Sequence, residues 1–191
     1  MLTLTLLVQK TREKGVFIVV EGLDGSGKTT QAEMLMERLM RDHKAFYTAE
    51  PSRGKTGTFI RDCCLYNEER LPTAVEALLF AADRVEHVEN EIKPALSEGK
   101  LVICDRYVYS SLAYQGSAGL DLGWIEIINS FALKPDFAFF IDVPPERVLE
   151  RLQRKKSVME TLEIQSAVRD VYMKFVDRGE LLRVDGDKLK E

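Results

Sequence analysis

The chain has 191 residues, 45% of them hydrophobic and 30% charged, with a formal net charge of −4. That length suits one domain with a substantial core, and the composition excludes a disordered chain. The mild acidity argues against a general nucleic-acid coat or a basic membrane-surface protein, so any anion site must be a local cluster of cations.

Residues 1–8 are apolar but lack a preceding basic region and a small-residue cleavage site, and they are too few to span a bilayer. Leu2, Leu4 and Leu6 alternate with threonines, a pattern for an edge strand, although a frayed extension or an upstream start fits as well. Residues 1–14 are therefore set apart as an N-terminal extension, and residues 15–191 form the domain. Cys63, Cys64 and Cys104 show no metal-binding spacing and there are only two histidines, which predicts reduced thiols and a cytoplasmic protein.

Val16, Phe17, Ile18, Val19 and Val20 form a short β-branched apolar run, read as a buried strand. Gly22, Leu23, Asp24, Gly25, Ser26, Gly27, Lys28 and Thr29 follow, with two glycines separated by four residues and then Lys-Thr. From Thr30 on, Ala32, Leu35, Met36, Leu39 and Met40 recur at helical spacing. A phosphate-binding loop needs this strand-to-helix context. Glycines let backbone N–H groups approach a phosphate, and the helix start adds its positive dipole end. Lys28 can reach the β- and γ-phosphates, and the Thr29 hydroxyl can hold Mg²⁺.

Residues 46–49 read as a second strand, ending in a loop from Glu50 to Gly54, and residues 58–65 as a short helix. A long helix is predicted over 73–96, with Val75, Leu78, Leu79, Ala82, Val85 and Val88 on its apolar side and Pro94 bending its last turn. Residues 101–104 are a buried strand followed by Asp105 and Arg106. Helices are expected at 107–115 and 124–131, a strand at 137–141 ending in Asp142, and a helix opened by Pro144 and Pro145. A basic connector at 151–156 precedes a last helix at 160–178, and residues 181–184 close as a strand.

Strands and helices alternate, and the strands are near-continuous apolar runs. That pattern predicts an α/β fold: a five-stranded parallel sheet with helices on both faces, three layers in all. Ligands of such sheets lie outside the carboxyl ends of the strands. The loop at 22–29, Glu50 to Arg53, Asp105, Arg106 and Asp142 all fall there. Asp105 is the stronger metal candidate, although it could also cap its strand or pair with Arg106; Asp142, followed by two prolines, suits a turn. No Asn-Lys-x-Asp element reads a guanine base. Several arginines near one crevice suit a kinase with an anionic acceptor, whose repulsion fixed cations must offset. Arg53, Arg84 and Arg106 are the acceptor-side candidates, and Arg151, Arg154, Lys155 and Lys156 the lid candidates; singly, each could be a solvated surface charge. An acceptor phosphate is already ionised and needs no protein base, so His87 reads as a surface or supporting residue and His43 as helix-end surface.

Three stretches resemble thymidylate kinases: Val19 to Gln31, Leu78 to Arg84 (LLFAADR), and Asp105 to Gln115 (DRYVYSSLAYQ). The similarity runs from about residue 15 to 184. It implies a P-loop nucleoside monophosphate kinase that transfers phosphate from ATP to dTMP with Mg²⁺, as a homodimer, with no nucleic-acid polymer or membrane as partner. It implies that residues Gly22 to Thr30 bind ATP, that Lys28, Arg106, Arg151 and Arg154 are catalytic, and that Thr29 and Asp105 serve the metal. Asp24 would contact the sugar 3′-hydroxyl and Phe80 would stack on thymine. Arg84 would bond the base, and Arg53 and Arg106 would hold the acceptor phosphate. Ser110, Ser111 and Gln115 would line the base pocket, and Tyr114 would crowd the 2′ position. Phe80 and Arg84, four apart, share one helix face; a core aromatic is the alternative for Phe80. Two departures stand out. Gly25 occupies a place where some relatives carry arginine, which shifts weight to the lid at about 151–163. There the expected arginine is missing from Glu160, Thr161, Leu162 and Glu163, and Lys155 or Lys156, which lack the bidentate fork, would have to replace it. A related nucleotide or nucleoside kinase, or a non-catalytic nucleotide-binding module, are the alternatives.

Overall fold

The computed structural model describes residues 15–65, 71–152 and 161–187. The apolar run after Gly15 becomes strand β1 (Val16–Gly22), buried along its whole length. It is followed by α1 (Lys28–Leu39), β2 (Ala45–Ala49) and α2 (Lys55–Ile60), which runs into a π-helical turn (Arg61–Leu65). Then come α3 (Thr73–His87), a second π-helical turn (Val88–Ile92), α4 (Lys93–Ser97), β3 (Leu101–Asp105), α5 (Val108–Ser117) and α6 (Leu122–Ile128). The described chain ends with β4 (Phe137–Asp142), α7 (Pro145–Arg151), α8 (Leu162–Asp177) and β5 (Leu182–Asp185).

The five strands form one parallel sheet in the order β2-β3-β1-β4-β5. Successive side chains of β1 point to opposite faces. Phe17 and Val19 join one core with Val102, Phe140 and residues of α5, α6 and α8; Val16, Ile18 and Val20 join the other, beneath α1. Both faces are covered, which is why the strands carry no polar alternation. Register brings Val20 opposite Asp105, Ala49 opposite Asp105 and Gly22 opposite Ile141. The carboxyl ends of β1, β2, β3 and β4 therefore share one edge. The predicted α/β architecture is borne out; the strand expected near residues 2–6 and the basic connector beyond Leu152 lie outside the described residues.

The long helix differs from expectation in two ways. Its interruption falls at Val88–Ile92, ahead of Pro94, which sits in the first turn of the next helix. Proline lacks an N–H and crowds the carbonyl four residues back, and the widened π-helical turn before it absorbs that conflict. The inward face is also not the predicted one: Ala77 and Ala81 share it with charged residues. Glu76, Asp83, Arg84 and His87 are buried, whereas Val75, Leu78 and Val85 are 41%, 49% and 40% exposed and Ala82 is exposed. Of the six residues expected inside, Val88 is buried. The polar residues win the inner face because partners from the β2 end, α5 and α6 await them there.

Asp142 is the last residue of β4, paired with Asp185 of β5, rather than part of a turn. Its buried carboxylate accepts Arg169 Nε at 2.7 Å and Arg183 Nε at 2.7 Å, which ties β4 to α8 and β5. Burial works to raise its pKa, but the two guanidinium groups outweigh it and hold the pKa below the usual carboxylate range. A depressed folded-state pKa gives stability above the unfolded value, near 3.9, that is lost as pH falls through the folded value. Asp142→Asn should therefore cost about 1–2 kcal/mol at pH 7, the arginines being partly solvated. Urea titrations at pH 7 and pH 3 should show the gap narrowing in acid; an equal gap at both would contradict the pairing.

Candidate active site

At the end of β1 the chain turns sharply into α1. Gly25 and Gly27 lie in the left-handed region at φ 88° and 89°, which side chains disfavour. A Cβ on Gly22 would stand 2.5 Å from Ser26 Oγ and 3.0 Å from the Ile141 carbonyl. This folds the loop around the start of α1, whose first N–H groups have no helical partners and suit an anion. Ser26 Oγ is buried without a partner among the described residues. Lys28 bends back over the loop, Nζ lying 3.4 Å from Asp24 Oδ1 and 3.5 Å from the Leu23 carbonyl. Burial, and then Arg106, push its pKa down against the pull of Asp24 and Asp105.

Asp105 ends β3 beside this loop. Its Oδ2 accepts the Thr29 hydroxyl and lies 3.4 Å from the Tyr47 hydroxyl, while Oδ1 is buried with no partner among the described residues. Arg106 does not pair with it. No group of three or more metal-binding side chains occurs among the described residues. A free carboxylate oxygen next to a threonine hydroxyl still fits Mg²⁺, which keeps several waters and takes its other ligands from phosphates.

Arg106 has a strained backbone, at φ 69°. Its Nη2 lies 2.6 Å from Asp24 Oδ1 and 3.4 Å from the Tyr114 hydroxyl, Nη1 donates to Ser110 Oγ at 2.9 Å, and its guanidinium lies 5.1 Å from the Tyr114 ring centre. Burial works to raise the Asp24 pKa, but Arg106 and Lys28 hold it far below the ordinary range. Tyr114, which donates to Asp24 Oδ2 at 3.2 Å, is pushed up to about 12, chiefly by burial. Beneath Ser110 lies Glu21, fully buried, whose pKa burial pushes up against its hydrogen bonds and Arg106.

Across the crevice Arg84 is buried, not a solvated surface charge. Glu50 Oε2 accepts its Nε at 3.0 Å and its Nη2 at 2.6 Å; Nη2 also reaches Ser111 Oγ at 3.2 Å, and Nη1 donates to Asn129 Oδ1. His87 is no surface residue either: it is buried, with Nδ1 3.2 Å from Glu50 Oε1 and Nε2 2.7 Å from Thr48 Oγ1. Phe80, one turn before Arg84 on α3, is half-buried. Ser111 and Gln115 are buried on α5, and Gln115 Oε1 has no partner among the described residues. Arg53 is exposed in the loop after β2, next to Ser52, which Asp83 holds through Oδ1 at 2.6 Å and Oδ2 at 2.8 Å. Arg151 is paired with the Gly186 carbonyl at 3.3 Å and Asp187 Oδ1 at 3.1 Å. Arg154, Lys155 and Lys156 lie outside the described residues.

Sequence reasoning gave no role to Glu21 or Asn129, and placed Glu50 at the crevice without assigning it a partner. Glu21 carried a signal, a lone charge closing an apolar strand. Glu50 gave a weaker one, standing before a proline in a loop. Asn129 gave none.

The family model for thymidylate kinase matches residues 20–191. A protein of Pyrococcus horikoshii called "Probable thymidylate kinase" is 45% identical over 179 residues, covering 90% of this chain and 87% of its own. A protein of the same name from Pyrococcus abyssi gives the same identity and coverage. One from Methanococcus vannielii, likewise so named, is 46% identical over 162 residues, covering 84% of this chain and 78% of its own.

The loop glycines make a test of packing against strain. Gly25 and Gly27 share the left-handed conformation, but a Cβ on Gly25 would meet Leu152 Cγ at 3.0 Å and the Val148 carbonyl at 3.2 Å, and one on Gly27 would meet nothing within 4 Å. Gly27→Ala should cost about 1 kcal/mol of stability from backbone strain. Gly25→Ala should cost roughly 1 kcal/mol more, from crowding the end of α7. Equal losses in urea unfolding would refute the contact.

Proposed function

The chain belongs to the thymidylate kinase family, and from that premise we propose that its crevice transfers the γ-phosphoryl group of ATP to dTMP, giving dTDP and ADP. One observation carries the assignment: the loop lysine and the strand-end arginine converge on a single carboxylate oxygen, Asp24 Oδ1, at 3.4 and 2.6 Å. Donor and acceptor are both anions. Only cations fixed between them can offset their repulsion and the charge of the transition state.

In this reading residues Gly22 to Thr30 cradle the ATP phosphates and Lys28 follows the γ-phosphoryl group. Arg106 and Arg53 hold the dTMP phosphate. An ionised phosphate oxygen of dTMP attacks the γ-phosphorus, the bond to the β–γ bridging oxygen breaks, and ADP leaves with that electron pair. No protein base is needed. Mg²⁺ held by Thr29 and Asp105 would supply charge neutralisation at the phosphates. Asp24 and Tyr114 would meet the deoxyribose, and Phe80, Arg84, Ser110, Ser111 and Gln115 the thymine. Arg151 and Arg154 would join as catalytic cations, Arg151 by leaving Asp187.

The exposed face of α3, with Val75, Leu78 and Val85, supports a homodimer, since a contiguous apolar stripe is costly in water. The free cysteines favour a cytoplasmic setting. Among the described residues no helix is long and apolar enough to cross a membrane.

An assay of dTMP, dUMP, UMP, AMP and thymidine with ATP, products identified, tests the assignment. dTMP should be preferred; equal turnover of AMP would reject the base pocket. Lys28→Ala should lower kcat by about 10²–10³-fold with the fold intact, and near-normal turnover would remove its role. Phe80→Ala should raise the KM for dTMP about 10-fold, the worth of a lost stack. A rise in the KM for ATP instead would mean the pocket is misassigned.

A further inference from the structure

Glu21 has 0% exposure, yet no cation pairs with it directly among the described residues. Burying a carboxylate costs several kcal/mol unless its lone pairs are filled. Four donors fill them here. Oε1 accepts the backbone N–H of Tyr107 at 2.9 Å and that of Ser110 at 3.2 Å. Oε2 accepts the Ser110 hydroxyl at 2.6 Å and the Tyr172 hydroxyl at 3.0 Å. The Tyr107 N–H is an orphan donor at the start of α5, where Tyr107, the capping residue, makes no side-chain cap of its own, and the Ser110 N–H is shared with the Tyr107 carbonyl at 3.0 Å. A strand residue thus caps a neighbouring helix.

The third contact reaches the chemistry. A serine hydroxyl has one hydrogen. Glu21 takes it, so the Ser110 lone pairs are left to accept Arg106 Nη1 at 2.9 Å. Tyr172 donates its own hydrogen to the same Glu21 oxygen at 3.0 Å, so its hydroxyl only packs beside the serine oxygen, 3.0 Å away. Arg106 is consequently gripped from two sides, by Asp24 at its front and by Ser110 behind. An acceptor phosphate that draws Arg106 from Asp24 leaves the rear grip in place. A carboxylate bonded directly to the guanidinium would fix it equally well but cancel more of its charge; one interposed hydroxyl orients it at lower electrostatic loss.

We propose that Glu21 is a positioning residue, acting through the Ser110 hydroxyl to aim Arg106 at the acceptor phosphate. It rests on the proposed role of Arg106 as a holder of that phosphate. Because Glu21 precedes Gly22 directly, the strand that delivers the ATP loop also sets the acceptor arginine, which fixes the distance between the two phosphates.

The test is a double-mutant cycle on the full-length chain with ATP and dTMP varied separately: Glu21→Gln, Arg106→Ala, and both together, each checked for its melting temperature. Glu21→Gln should lower kcat/KM for dTMP about 10-fold, the cost of one misdirected charged hydrogen bond, with the KM for ATP within about twofold. Added to Arg106→Ala it should cost nothing further, because residues in one network are not additive. Losses that multiply, or a KM for ATP that rises as much as that for dTMP, would overturn the proposal. If Glu21→Gln does not fold, Ser110→Ala in the same cycle decides: a serine serving only as a base contact gives multiplied losses, and a relay does not. Full dTMP turnover by Arg106→Ala alone would instead sink the acceptor role of that arginine.

Discussion

Asp24 is the meeting point of the site. Its carboxylate is shared by Lys28, from the start of α1, and Arg106, from the end of β3, and both cations hold it ionised. Two positive groups so close would repel without an anion between them. In the protein alone Asp24 provides that anion; in the proposed working complex, phosphates take over much of the task. The crevice is thus built for negative charge while the chain as a whole is mildly acidic.

The sheet makes that convergence rigid. All five strands run parallel, so their carboxyl ends share one edge, and β1 lies between β3 and β4 at its centre. The phosphate loop leaves β1, Asp105 and Arg106 stand at the end of β3, and Glu50 leaves β2. Buried polar contacts then lock each piece to its neighbour: Glu21 to the start of α5, Glu50 to Arg84 and His87, Asp142 to α8 and β5. Each such group is expensive to bury alone, and each is matched by partners from another element. The polar network therefore specifies how the helices sit on the sheet edge.

The strands and the phosphate loop were legible because their signals are local. Apolar runs, glycine spacing and helical periodicity lie within a few neighbouring residues. The inner face of α3 was not legible. Periodicity put Val75, Leu78 and Val85 inside, but Glu50, Ser111 and Asn129, distant in sequence, draw Arg84 and His87 inward instead. The same limit hid the partners of Glu21, whose donors come from the start of α5 and from α8. Gly25 was readable as an empty arginine position, but its packing against Leu152 became visible only when the end of α7 was placed beside the loop. Long-range pairing, rather than local propensity, decided these cases.

The central claim is that one crevice holds both nucleotides with their phosphates facing. A calorimetric titration with an oligophosphate joining adenosine to thymidine tests it directly. A single molecule of this ligand should bind per chain, at least about 10²-fold tighter than ATP or dTMP alone, because linking turns the second contact into an intramolecular one. Binding no tighter than ATP, or two molecules per chain, would mean that the two anion sites do not face each other.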